Sequence, residues 1–244
     1  MQVRWIKLDR VSSTNAYIAG LLREGEGQEE LVVIADYQEA GKGRGSNRWH
    51  SEKGRNLLMS VLLFPVFLSA SKQYYLSKAV SLAVCDLLRT FRAQPVIKWP
   101  NDIMIGRGKV AGILIEHGVV RQTLHHSIVG IGMNLNQTTF PPFRVPATSL
   151  VLETGHSVEP PEAARRLHGH FHERLDQLEK GAVKELDCAY LELLYGMHRT
   201  CSFTSGDRSF HGVIRGVNEF GELLVEEEGV TRAYGFQEIS FSAC

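Results

Sequence analysis

No CxxC pair occurs in the 244-residue sequence; its four cysteines, Cys85, Cys188, Cys201 and Cys244, are scattered along the chain. That spacing suggests neither a zinc ribbon nor a disulfide framework, and reduced thiols are expected. Charge of one sign is also missing, with 27 basic against 27 acidic side chains. Bulk attraction to nucleic acid or to a membrane surface is therefore not expected. No apolar run approaches the roughly 18 residues of a membrane span, and the opening MQVRWIKLDRVSSTN lacks the apolar core of a signal peptide. A cytoplasmic location follows as the expectation. Nor does any Ser-His-Asp or Cys-His grouping have a supporting local context, so catalysis by a side-chain nucleophile is not indicated.

What is present is an ordinary globular composition, 43% hydrophobic and 22% charged, over a length that suits one large domain with a small appendage. Ser12-Ser13-Thr14-Asn15 offers N-caps to a short helix over AYIAGLLREG. LVVIADYQ (31–38) and NLLMSVLLF (56–64) read as buried strands. Helical spacing of Leu76, Val80, Ala83, Val84, Leu87 and Phe91 predicts an amphipathic helix over 71–91. VIKWPNDIMI and GKVAGILIEHGVV read as two strands joined at Gly106-Arg107-Gly108, with HHSIVGIGMNLN as a third, which implies antiparallel pairing. The four prolines of TTFPPFRVPATSL predict an ordered loop. Two further helices are expected over 160–180 and 182–195. From about Arg199 short strand-like runs alternate with Ser-Gly-Asp, Asn-Glu-Phe-Gly and Glu-Glu-Gly turns. These predict a small β-barrel docked on the main domain, with a boundary near 196/197.

Three segments carry chemistry. YQEAGKGRGSNRW (37–49) threads Lys42, Arg44 and Arg48 among glycines. It fails the Walker pattern because Gly43 follows Lys42, and the dinucleotide pattern because Ser46 stands where a third glycine is required. What remains is a basic loop able to meet anionic oxygens, or simply a solvated turn. In KWPND (98–102), Pro100 turns the chain out of a strand. Asn101 and Asp102 suit a turn; with Lys98 beside them they also suit a nucleotide phosphate and its Mg²⁺. Lys109 opens an apolar strand and either faces solvent or faces inward toward an anion. The histidine group HGHFH (168–172) places His168 and His172 one turn apart, but no carboxylate or cysteine completes a set, and a metal site is not expected there.

Taken in order and spacing, SSTN, YQEAGKGRGSNRW, KWPND, GKVAGILIE and GIGMNLN resemble the biotin protein ligases, and HGVIRGVNEFGELLVE resembles that family's last domain. The likeness covers nearly all of the chain. It implies an α+β fold: a class II aminoacyl-tRNA synthetase-like mixed sheet with helices over 1–196, followed by a small SH3-like β-barrel over 197–244. It also implies a ligase of the form without an N-terminal DNA-binding domain, acting without nucleic acid or membrane, as a monomer or homodimer.

The implied reaction joins biotin to ATP as biotinyl-5′-AMP, then transfers biotin to a lysine of a biotin carboxyl carrier protein. ATP with Mg²⁺ and biotin are substrates, and no tightly bound prosthetic group is implied. By position, Ser13, Thr14, Asn15 and Gln38 resemble the polar groups that hold biotin, with Lys42, Gly43 and Arg44 in the loop that closes over it. Lys109 resembles the lysine that contacts the biotin carboxylate and phosphate, and with Arg44 is the expected electrostatic catalyst. Lys98, Asn101, Asp102 and Asn134 resemble the ATP side, with Mg²⁺ near Asp102. The loop departs from the family in having Lys42, Gly45, Ser46 and Asn47 where arginine is common, which predicts looser retention of the adenylate. The competing expectations are a lipoate or octanoate ligase of the same fold and a non-enzymatic biotin or nucleotide sensor.

Overall fold

The structure is a computed structural model that describes residues 3–45 and 47–243. Seven strands form the main sheet in the order β1-β2-β3-β7-β6-β5-β4. They are β1 (Val3–Leu8), β2 (Glu30–Ala35), β3 (Leu57–Leu63), β4 (Pro95–Lys98), β5 (Asp102–Ile105), β6 (Gly108–Val120) and β7 (Thr123–Met133). β1 and β2 run parallel, and every other neighbouring pair is antiparallel, so the sheet is mixed. Parallel pairing requires a crossover, which α1 (Thr14–Arg23) supplies.

β2 and β3 are buried along their whole length, because both faces of the sheet are covered. Alternation then sorts the side chains. Val32 and Ile34 join the large core beneath α2 (Tyr74–Thr90) and α4 (Pro160–Glu179). Leu31 and Val33 face the opposite way, packing with Ile18 of α1, Leu62 and Ile128. Further helices are α3 (Leu150–Thr154), which follows the proline-rich loop, and α5 (Val183–Glu192). Lys78 of α2, only 1% exposed, is neutralised by Asp187 of α5 at 2.6 Å, with three tyrosine rings around its ammonium. A buried cation is tolerated only when paired in this way, and the pair locks α5 to α2.

The second sheet, β11-β10-β9-β8-β12, is antiparallel: β8 (Thr200–Ser205), β9 (Arg208–Val217), β10 (Leu223–Glu227), β11 (Val230–Tyr234) and β12 (Ser240–Ala243). Its hairpins turn at the three predicted sites. Phe203, Ile214, Leu223 and Val225 belong to the same continuous core as the main sheet, and Trp99 donates its indole N–H to Gly221 O at 2.9 Å. The appendage is docked, as its small size requires. Among the described residues, β11 and β12 do not pair, so the expected barrel is seen as a five-stranded sheet.

Three expectations are corrected. VIKWPNDIMI is not one strand but two, β4 and β5, folded back at Trp99-Pro100-Asn101, with Lys98 opposite Asp102; an apolar run across a proline hid the hairpin. Cys85 and Cys188 are free thiols, but Cys201 is disulfide-bonded, against the expectation of four reduced thiols. The histidines of HGHFH do find a carboxylate. Glu30 Oε1 lies 2.6 Å from His168 Nε2 and 2.8 Å from His172 Nε2. Sequence distance concealed this meeting, since 138 residues separate Glu30 from His168.

Candidate active site

Strand ends and one loop create a cavity of about 400 Å³ between the main sheet and the second sheet, within the range of small-molecule sites. Eleven of the twelve sequence-predicted residues line it, all but Asn134.

At one end sit neutral polar groups. Ser13 is the N-cap of α1, yet its hydroxyl makes no capping bond; Ser13, Thr14 and Asn15 are all buried. Gln38 Oε1 accepts from Thr14 N at 2.7 Å and from Thr14 Oγ1 at 3.1 Å. Ser60 Oγ bridges Thr14 Oγ1 and Asn15 Oδ1, 2.6 Å from each, and Asn15 Nδ2 donates to Glu116 Oε2 at 2.7 Å. These bonds fix the directions of Thr14, Asn15 and Gln38, which face the cavity. Gly130 of β7 makes the arrangement possible, because a Cβ there would collide with Asn15 Oδ1. Ser60 and Glu116 escaped sequence reading, although strand alternation puts Ser60 as a lone polar residue in an apolar run.

Charge gathers at the other end. Lys109 Nζ pairs with Asp102 Oδ1 at 2.6 Å, with both side chains partly exposed. The anion expected to meet an inward lysine is thus Asp102, brought across by the pairing of β5 with β6. Lys98 lies over the Phe241 ring. Burial lowers its pKa, Asp102 acts against that shift, and Lys109 and Arg144 deepen it. Asn101 Nδ2 donates to Ile113 O at 2.8 Å while Ile113 N donates to Asn101 O at 3.0 Å, pinning the KWPND turn to β6.

The glycine-rich loop is a small hairpin closing this charged end. Lys42 bridges Arg48, Gly43 N donates to Asn47 O at 2.8 Å, and Trp49 N donates to Gly41 O at 2.9 Å. Ser46 lies outside the described residues. Lys42 is exposed, whereas Arg44 reaches the second sheet's side and stacks over Phe236 at 4.2 Å. Burial lowers the Arg44 pKa, against the pull of Tyr74 and Asp102. Trp49 lies flat over Gly112 and Gly132, partners on β6 and β7, where any Cβ would meet its ring. Its indole nitrogen is buried against Gly132 and has no hydrogen-bond partner among the described residues. Phe236 and Phe241, contributed by the second sheet's segment, were not read from the sequence as site residues.

Asn134 stands apart. It is buried, with Nδ2 donating to Thr148 O at 2.9 Å and more weakly to Lys109 O at 3.5 Å. It ties the proline-rich loop to the strand that carries Lys109, and does not itself face the cavity.

A mixed sheet whose strand ends place a neutral hydrogen-bonding pocket beside a cluster of cations suits a ligand that carries both an uncharged ring system and an anionic group. The chain belongs to the biotin/lipoate A/B protein ligase family, whose pattern matches residues 8–134, and residues 199–242 match the biotin protein ligase C terminal domain. Among curated relatives, the bifunctional ligase/repressor BirA of Bacillus spizizenii is 31% identical over 231 residues, covering 93% of this chain and 70% of that protein. The biotin–[acetyl-CoA-carboxylase] ligase of Paracoccus denitrificans is 31% identical over 225 residues, covering 89% and 92%. The solved biotin protein ligase of Aquifex aeolicus, in complex with biotin and ATP, superposes with a TM-score of 0.82 at 26% identity, covering 99% of both chains.

Proposed function

We propose that this chain activates biotin with ATP to biotinyl-5′-AMP and transfers it to a lysine of a biotin carboxyl carrier protein. The observation that carries the reading is the two-ended cavity, in which a neutral, prearranged pocket adjoins Lys98, Lys109 and Arg44. The match of the C-terminal segment to the biotin-specific domain favours biotin over lipoate. In this reading 1–196 is the catalytic domain, 197–244 the second domain, and the reaction takes place in the cytoplasm.

Ser13, Thr14, Asn15 and Gln38 receive the ring system of biotin, so that its carboxylate points toward Lys109. One carboxylate oxygen attacks the α-phosphorus of ATP; the bond to the bridging oxygen breaks and pyrophosphate leaves. Two anions must approach, and the cations of Lys109 and Arg44 offset that repulsion and the charge developing at phosphorus. Lys109 changes partners during this step, from Asp102 to substrate oxygens. Mg²⁺ enters with ATP as part of the substrate. Asp102 is the one carboxylate among the described residues lining the cavity, which fits an ion held mainly by phosphate oxygens and water. The neutral amine of the carrier lysine then attacks the anhydride carbonyl, releasing AMP and a proton. Meanwhile the 41–49 hairpin keeps water from the anhydride.

The test supplies ATP, Mg²⁺, a carrier domain and either biotin or lipoate, and follows pyrophosphate release and carrier mass. A mass gain of one biotin is expected. No gain with biotin, or a preference for lipoate, overturns the assignment.

A further inference from the structure

Outside the cavity, one cluster is built as ligand sites are built. Glu30 begins β2 and is only 8% exposed; His168 and His172 stand one turn apart on α4. None of the three lines the cavity. Glu30 Oε1, His168 Nε2 and His172 Nε2 form a closed triangle with sides of 2.6, 2.8 and 3.1 Å.

Hydrogen bonding alone serves this triangle poorly. If each imidazole donates its Nε2 proton to the same carboxylate oxygen, the two N–H groups crowd one another across 3.1 Å. If one imidazole turns its lone pair inward, it faces the carboxylate lone pairs instead. A single cation placed among the three atoms satisfies all of them together. For tetrahedral zinc, ligand bonds of about 2.0–2.1 Å put donor atoms about 3.3 Å apart, so the sides of the triangle need to open by between about 0.2 and 0.7 Å. The i,i+4 pair supplies two donors from one rigid helix, and Glu30 supplies the third from the sheet.

We propose that Glu30, His168 and His172 form a binding site for a divalent transition metal of the Zn²⁺ class. The three donors leave a fourth position for water on the side of His172, which is 38% exposed. The donor set is imidazole and carboxylate, which suits Zn²⁺, Co²⁺ and Ni²⁺ and disfavours Mg²⁺ and Ca²⁺. Bound metal would clip α4 to the edge of the sheet, where Trp5 of β1 already packs edge-on against the His168 ring at 5.2 Å. Its effect is on stability, since no residue of the cluster belongs to the ligase machinery.

The experiment uses tag-free full-length protein, stripped with chelator and titrated with Co²⁺ as an optical probe, then with Zn²⁺ as competitor. One tight Co²⁺ equivalent with visible tetrahedral bands, displaced by Zn²⁺, is expected, together with a Zn²⁺-dependent rise in Tm. His172→Gln, at a half-exposed position that leaves the fold intact, should weaken binding about 100-fold or more and abolish the Tm shift. Biotinylation by metal-free His172→Gln should match that of metal-free parent. The adjacent pair His125 and His126 is the control: His126→Gln should leave the Co²⁺ titration unchanged. Binding that survives His172→Gln, binding lost instead with His126→Gln, or no binding tighter than that of a surface histidine overturns the site.

Discussion

The two ends of the cavity are built on opposite plans. At the neutral end, Thr14, Asn15, Gln38 and Ser60 bind one another in a closed network, tied behind the cavity wall to the Glu116 carboxylate. At the charged end, Lys109 has a single carboxylate partner among the described residues and lies beside the Trp49 ring, while Lys98 lies over one ring face and Arg44 over another. A closed network cannot reorganise cheaply and so selects a shape. Cations with one replaceable partner can transfer to an incoming anion at small cost, because the pair they leave is half-solvated. Recognition and catalysis are thus separated along one cavity by how completely the polar groups are satisfied.

Two substitutions break that contrast in opposite directions. Lys109→Met removes the cation that changes partners, and adenylate formation should fall by about 10²- to 10³-fold with the fold unchanged by circular dichroism. Pyrophosphate release near the parent rate would remove Lys109 from the chemistry. At the neutral end, Gly130→Ala adds a methyl group where Asn15 Oδ1 stands and should raise the KM for biotin by about tenfold, the cost of one disrupted buried hydrogen bond, with a smaller change in kcat. If Gly130→Ala instead lowers kcat alone, the neutral end is not a recognition site. A smaller loss is expected from Phe236→Ala, which leaves Arg44 without its ring. A cation–π contact of about 0.5–1 kcal/mol corresponds to roughly two- to fivefold faster loss of adenylate from the enzyme, measured by quenching with unlabelled substrate.

Motif order in the sequence was enough to locate most of the cavity, because its residues lie in short segments that local physics marks: a helix start, a glycine-rich turn, a proline turn, a lysine opening an apolar strand. What stayed hidden depends on pairing across the sheet. Ser60 and Glu116 matter only because β3 and β6 bring them beside Asn15, and Phe236 only because the second sheet docks there. Asn134 was read as a ligand contact from its motif, whereas the structure buries it against Thr148 O. Glu30 shows the same limit most plainly: nothing near it in sequence announces two histidines 138 and 142 residues away. The glycines at 130 and 132 did carry a signal, since alternate glycines on one strand face mark a close approach. Periodicity alone does not say what approaches.

The smallest expected effect concerns the hairpin that closes the charged end. Lys42 is exposed and bridges Arg48 only through the backbone ladder, so its ammonium is a hydrated point charge. An arginine there would present a planar fork able to bind two phosphate oxygens at once, with less rotamer freedom lost for each bond made. Lys42→Arg should therefore slow the release of biotinyl-5′-AMP from the free enzyme by about two- to threefold, an effect no larger than that of an exposed charge pair. Adenylate formation, governed by Lys109, should be unaffected. Release that is already very slow in the parent protein, or unchanged in Lys42→Arg, would mean that the Trp49 anchor on Gly112 and Gly132 holds the hairpin closed, and that loop cations contribute nothing to retention.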